Sequence, residues 1–281
     1  MREPGAPSPW LHDYSELVDR LPGESFPDIA ALNALLPAGA VSGGGAPLRF
    51  RAADELPGVD YERHVYETGE VSTRAGNWHD LYNALAWCRW PRLKAAMNAR
   101  HYAHLGETRG GRRGPARDAL TLLDESGALV VSAERALLAA LAARDWRAAF
   151  LVHRDAWARS RCLLCGHALL EKLRAPYKAV TAHALLLRLD ETDPGAASFP
   201  AWLDGRLADS LHAGGLCRAP ADLSPLPLMG IPGWWSAAAP EGRAGGPQDA
   251  AFYADRQVFR PPRPAQAPAP VHELGARGDA D

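Results

Sequence analysis

Residues 77–101 read NWHDLYNALAWCRWPRLKAAMNARH, and the fold turns on how this stretch is read. Asn77 is a good N-cap, because its side-chain oxygen can accept a backbone N–H of the first helical turn. Apolar residues then recur at helical spacing as far as Trp90. Pro91 suits the first position of a following helix, where its missing N–H costs nothing. Two helices joined at Pro91 are therefore expected. Through them run His79, Asp80, Asn83, Asn98, Arg100 and His101, set among Trp78, Leu81, Leu85, Trp87, Leu93 and Met97. Burying such polar groups is costly unless they are paired, so a chain that keeps them uses them for structure or for chemistry.

Outward from this stretch the pattern stays mainly helical. Phe26, Ile29, Leu32, Leu35 and Leu36 predict a helix over residues 26–36, and Ser132 opens another that runs to about Arg144. Residues 162–173 and 179–189 read as two apolar helices broken at Pro176. Residues 117–131 differ: Leu120, Leu122, Val130 and Val131 flank Asp124-Glu125-Ser126-Gly127, which reads as a β-hairpin turn with Gly127 at positive φ. Residues 38–47 and 106–114 are Gly-rich loops. After Pro194 the chain becomes loop-rich, with residues 227–235 as an ordered cover. The expected organisation is a partly ordered N-terminal segment over 1–25, one globular domain over 26–263, and a disordered Pro-rich tail over 264–281. The class is α+β, predominantly helical, with a small β-hairpin or sheet.

The formal charge of −2 supplies no global attraction to nucleic acid or to an anionic membrane surface. No apolar run approaches the roughly 18 residues of a membrane span, so none is expected. The first residues, MREPGAP, lack the apolar core of a signal peptide. Four cysteines give no disulfide framework, and a reducing cytoplasm is the natural setting.

Several short motifs occur together and in order: Asn77-Trp78-His79-Asp80, Asn98-Ala99-Arg100-His101, Arg117-Asp118-Ala119-Leu120-Thr121, Asp124-Glu125-Ser126-Gly127, Gly166-His167-Ala168-Leu169-Leu170-Glu171-Lys172 and Thr181-Ala182-His183-Ala184. Residues 227–234 (PLMGIPGW) and 252–255 (FYAD) complete the set. Together they resemble the bacterial domain-of-unknown-function 3025 family over roughly residues 26–263. That family has no established activity, so the resemblance implies no reaction. It does imply Phe where this chain has Cys165, which weighs against a role for the cysteine pair.

The residues themselves point to chemistry. On a helix His79 and Asn83 share a face, and a His beside a carboxylate can form one edge of a metal site. The pair His79-Asp80 resembles that of the His-Asp metal phosphohydrolases, but a hairpin is foreign to their all-helical fold. The order His79, Asn98, His101 resembles a one-metal nuclease, which needs a ββα finger that is not expected here. His167 and Glu171, four apart, can pair a ligand or base with its orienting carboxylate, and His183 can converge on them. On the expected hairpin, Asp118 lies between Arg117 and an apolar run and is the stronger candidate; Asp124 and Glu125 are explained as turn residues. Cys162 and Cys165, three apart in an expected apolar helix, read as small core residues.

The expected function is a metal-dependent hydrolase acting on an anionic, phosphate-bearing substrate. His79, Asp80, His101, Asp118, His167 and Glu171 would be catalytic, and a divalent metal ion would be held by His79, Asp80 and His101. Asn83, Asn98, Arg100, Arg117, Lys172 and His183 would bind substrate. The alternative is a non-catalytic binding protein whose His/Asp/Asn cluster is a recognition pocket for a small molecule, or a structural polar network.

Overall fold

The computed structural model describes residues 8–23, 25–56, 58, 60–105, 114–190, 198–238 and 248–275. In chain order the first part contributes α1 (Ser15–Asp19), α2 (Ile29–Asn33), β1 (Arg49–Ala52), α3 (Tyr61–Thr68), β2 (Glu70–Thr73), α4 (Trp78–Arg89), α5 (Pro91–Ala103) and α6 (Pro115–Ser126). The remainder adds β3 (Gly127–Ser132), α7 (Arg135–Ala143), β4 (Arg161–Leu164), α8 (His167–Lys172) and β5 (Thr181–Arg188). It ends with α9 (Phe199–His212), β6 (Ser224–Pro227), α10 (Trp234–Ala238), α11 (Ala250–Tyr253) and β7 (Val271–Glu273). The helix pair about Pro91 is present as the sequence predicts, with Asn77 capping α4 and Pro91 opening α5.

The central sheet runs β4–β3–β5, with β6 and β7 sharing the far edge of β5. β3 and β5 are parallel, with Gly127 opposite His183 and Ser132 opposite Arg188, and β4 is antiparallel to β3. β3 is buried throughout, and α6 and α7 pack on both β3 and β5. Strands covered in this way carry continuous apolar runs rather than alternation. This is why residues 179–189, expected as a helix, form the strand β5 instead. A short, largely apolar segment fits either element by periodicity, and neighbouring strands decide. Cys162 likewise lies in β4, while Cys165 follows it and is buried; both thiols are free. A second, two-stranded sheet pairs β1 with β2 in parallel across α3.

Three further expectations are corrected. The hairpin over residues 117–131 is absent, because Ala119, Leu120 and Leu123 are buried at helical spacing on α6. Asp124 and Glu125 therefore lie in its last turn, and Gly127 has a φ of −72°, ordinary extended backbone leading straight into β3. Beyond Pro194 the fourteen-residue α9 packs on α5 where loops were expected. The Pro-rich tail is not wholly disordered: β7 extends the sheet, and Leu274 behind it is buried. Residues 106–113 of the Arg/Gly-rich loop and 276–281 of the tail lie outside the described residues. The protein is a single α+β domain in which helix predominates. Among the described residues no helix is long and apolar enough to cross a membrane.

Candidate metal centre

Three helix ends and one helix face converge on a polar cluster. The Asn77 cap, whose Oδ1 accepts the Asp80 N–H at 3.1 Å, sets His79 in the first turn of α4. α5 is capped from a different helix. Asp204 of α9 accepts the N–H groups of Arg92 (3.0 Å) and Leu93 (2.8 Å). Burial pushes the Asp204 carboxyl up to about 6 in spite of those bonds. Lys94, Asn98 and His101 then follow at i, i+4 and i+7, so all three buried side chains share one face.

The end of α6 meets the start of α8 through two glycines. The Gly127 carbonyl accepts the N–H groups of Cys165 (3.1 Å) and Gly166 (3.0 Å). A Cβ on Gly166 would stand 2.2 Å from the Gly127 nitrogen, and one on Gly127 would stand 2.1 Å from the Leu123 carbonyl oxygen. Only glycine admits so close an approach, and it brings Asp124 and Glu125 beside His167.

There the Nε2 atoms of His79 and His167 face each other at 3.0 Å, with Glu125 Oε2 3.8 Å from His167 Nε2. One ligand atom from each of these three residues lies within 4.8 Å of the others. Ligands about 2.1 Å from a tetrahedral ion stand about 3.4 Å apart, so the spacing suits a common divalent metal. Each imidazole also meets a carboxylate through Nδ1. Glu171 Oε2 is 3.2 Å from His79 Nδ1, and Asp124 Oδ2 is 3.8 Å from His167 Nδ1. Carboxylate behind imidazole is the usual outer layer of a metal site. Burial pulls the His167 imidazole down to about 4, so it is neutral at pH 7. Burial, and Asp124 beside it, push Glu125 upward.

Behind this cluster lies a second layer. Lys94 Nζ donates to Asp124 Oδ1 at 2.5 Å and to Asn83 Oδ1 at 2.9 Å, and Asn83 Nδ2 donates to the Tyr61 hydroxyl at 3.0 Å. Burial raises Asp124, but Lys94 first, then His167 and His101, outweigh it and hold the carboxyl below its usual range. Asn98 donates to Glu62 Oε2 at 2.8 Å and to its carbonyl at 2.9 Å.

Of the residues expected from sequence, the structure brings His79, His167 and Glu171 together. Asp80 accepts the Arg74 N–H (2.7 Å), Nε (2.9 Å) and Nη2 (2.8 Å), so its carboxylate is spent on a residue six positions earlier. Burial raises Asp80, but Arg74 more than offsets this and holds it low. His101 joins the Lys94–Asp124 layer rather than the triad, and Asn83 and Asn98 are spent on Lys94, Tyr61 and Glu62. Arg100 donates to the Leu216 carbonyl at 2.6 Å. Asp118 is exposed at the far end of α6 from Glu125, with Arg117 next to it. Lys172 is exposed on α8, and His183, on β5 rather than a helix, sits in register with Gly127. Asp124 and Glu125, expected as turn residues, belong to the cluster, and so do Lys94 and Glu62, which the sequence reading does not single out. The signal for Lys94 was available: a lone ammonium amid Leu93, Ala95, Ala96 and Met97, in step with Asn98 and His101.

The family model described as protein of unknown function (DUF3025) matches residues 48–263. The chain belongs to the domain-of-unknown-function 3025 family. Every residue of the triad and of both carboxylate–imidazole pairs lies inside the matched span, as do Lys94, Asn83 and Tyr61. α1, α2 and β7 lie outside it. No curated protein and no solved structure matches the chain. Two clefts of the domain, of about 580 and 510 Å³, are lined by other residues, among them Trp157 and Trp234 in the first and Gly43 and His212 in the second.

Proposed function

We propose that this member of the family is a metal-dependent hydrolase whose divalent ion is held by His79, His167 and Glu125. One observation carries the reading: two imidazole Nε2 atoms stand 3.0 Å apart while both Nδ1 atoms face carboxylates. An N–H at each Nδ1 satisfies its carboxylate, and both Nε2 lone pairs then point at each other, which a shared cation resolves. A plain N–H···N bond between the rings is the competing account. If His167 donates, its Nδ1 lone pair is left buried against a carboxylate. If His79 donates, its Nδ1 lone pair faces Glu171. Double protonation of either ring would satisfy both contacts; at His167 burial opposes that charge at pH 7, and at His79 metal titration separates it from a shared ion.

Bound by these three residues, such an ion would supply an acidified water, with a pKa of about 7. Glu171, half exposed and in contact with His79, would take its proton. Arg74 and Lys172 hold an anionic, phosphate-bearing substrate. Both are at the protein surface, Arg74 close enough to feel the Glu171 charge and Lys172 close enough to act on Glu125. The cytoplasm suits a protein whose four cysteines are all unpaired. A second reading, a structural polar network, is favoured by how fully Asn83, Asn98 and Asp80 are satisfied.

Elemental analysis and zinc titration of the purified protein test the proposal, beside phosphomonoester and phosphodiester substrates. The expected result is one tightly held ion per chain, weakened at least about 100-fold in Glu125→Gln and His79→Ala, with hydrolysis lost in step. A wild-type protein that takes up no divalent metal overturns the metal reading. Metal without turnover of any phosphate ester leaves the structural or binding reading.

A further inference from the structure

The metal reading above leaves open what fixes the less accessible of its two histidines. His167 is only 4% exposed, and its Nδ1 makes no well-aligned hydrogen bond, although the Asp124 backbone as well as the Asp124 carboxylate favours a proton on the ring. The carboxylate oxygen facing it is Asp124 Oδ2, at 3.8 Å. The other oxygen of Asp124 is fixed by Lys94 Nζ at 2.5 Å, and that ammonium is in turn fixed by Asn83 and lies 5.2 Å from the Trp87 ring centroid. A lone pair at Nδ1 would be repelled by Oδ2, whereas an N–H there is attracted to it. A neutral imidazole has one N–H, so placing it at Nδ1 leaves the lone pair at Nε2, on the side of His79 and Glu125.

We propose that Asp124, anchored by the buried Lys94, is a positioning residue that holds His167 in the Nδ1–H tautomer and so aims its Nε2 lone pair at the shared ion. Glu171 does the same for His79 at the exposed side of the site, where the carboxylate reaches Nδ1 at 3.2 Å. The two differ in rigidity. Glu171 is 39% exposed in its side chain, while Asp124 is 17% exposed and tied to a lysine that is 4% exposed. The buried arm therefore sets the geometry, and the exposed arm follows it. Asp124 touches neither ion nor substrate, so its effect must pass through His167.

The inference rests on the metal reading for its consequence but not for its first test. Long-range proton–nitrogen correlation NMR on the full chain, stripped of metal with a chelator, reads the tautomer of His167 directly. The expected result is Nδ1–H in the wild type. In Asp124→Asn the amide oxygen stays with the Lys94 ammonium, so the NH₂ group faces Nδ1 and makes it an acceptor. The tautomer should then move to Nε2–H, and zinc affinity, measured against a chromophoric chelator, should fall about 10–100-fold. Should Asp124→Asn fail to fold, the apolar pair Lys94→Met/Asp124→Leu replaces it, with loss of the Nδ1–H preference and a zinc affinity at least about tenfold weaker expected. An Nε2–H tautomer in the wild type overturns the proposal, as does a folded variant whose tautomer is unchanged. In a wild type that binds zinc, a variant within twofold of its affinity also overturns it. A wild type that binds no zinc yet shows Nδ1–H, lost in Asp124→Asn, removes the metal reading and leaves the role of Asp124 standing.

Discussion

Lys94→Met should be a severely destabilising change. The ammonium is 4% exposed, 2.5 Å from Asp124 and 2.9 Å from Asn83. Replacing it with a side chain of similar length keeps most of the packing but leaves Asp124 as a largely buried charge with no lysine beside it. Breaking a buried pair in this way costs about 3–5 kcal/mol, a large part of the roughly 5–15 kcal/mol that holds a typical domain together. Removing both charges is different. Lys94→Met/Asp124→Leu takes away the desolvation penalty together with the attraction, and the double variant should return to within about 2 kcal/mol of the parent. Urea unfolding followed by circular dichroism at pH 7 measures both. The pH dependence gives a second check. Burial lowers the Lys94 ammonium, but Asp124 first and Tyr61 next more than reverse this, so its folded pKa is raised. Its contribution is full below its unfolded pKa and lost as pH rises through the folded one. Asp124 is depressed, so its contribution is present above its unfolded pKa and lost as pH falls through the folded one. The double variant should therefore lack the parent's loss of stability at either end. A Lys94→Met cost below about 1 kcal/mol, or a double variant as unstable as the single, would refute this account of the pair.

Two further outcomes are expected. Burial pushes the Glu62 carboxyl up to about 7, with the Asn98 hydrogen bond only partly opposing it. A folded pKa above the unfolded value means stability is full below the unfolded pKa and is lost as pH rises through about 7. Glu62→Gln should flatten that slope by an amount on the order of 1–3 kcal/mol in melts between pH 4 and pH 8, and an unchanged slope would count against the assignment. Ending the chain at residue 263 removes β7, the buried Leu274, and the bond from Arg206 Nη2 to its carbonyl at 2.9 Å. Burial of one leucine alone is worth about 1.5–3 kcal/mol, so the truncated protein should unfold at distinctly lower urea, and an identical midpoint would show the tail to be passive.

What the sequence revealed about the fold follows from where local signals were strong. Asn77 and Pro91 bracket α4 and open α5 by cap chemistry that depends on immediate neighbours, and both boundaries agree with the structure. β5 could not be recognised in the same way. Its residues 184–188 are buried and so carry no polar alternation, and without β3 and β6 beside it an apolar run of that length is ambiguous. β7 sits in a segment whose prolines argue against a ladder, yet it occupies only three residues at a sheet edge, where proline nearby is tolerated. The Gly127–Gly166 contact was equally hidden, since nothing local to either glycine announces the other.

The ranking of the acidic residues on α6 turned on a single period. Read as a strand, residues 118, 120, 122 and 124 share a face, which sets Asp118 beside an apolar run and leaves Asp124 and Glu125 to the turn. Read at helical spacing, Ala119, Leu120 and Leu123 become the buried stripe, and the acids separate by height along the axis. Asp118 and Glu125 are seven residues apart, about 10.5 Å along an α-helix. Only the C-terminal end of α6 runs into β3 beside α8, so only Asp124 and Glu125 can reach His167. Asp118 stays in the first turn, exposed, where a negative charge favours the helix dipole. The same shift reassigns Glu171. Its i, i+4 spacing from His167 made the pair look self-contained, but α8 packs on α4, and the carboxylate orients His79 across that interface while His167 turns to Asp124 on α6. The polar residue types of the centre were visible in the chain; their partners were not, because each partner lies on a different helix.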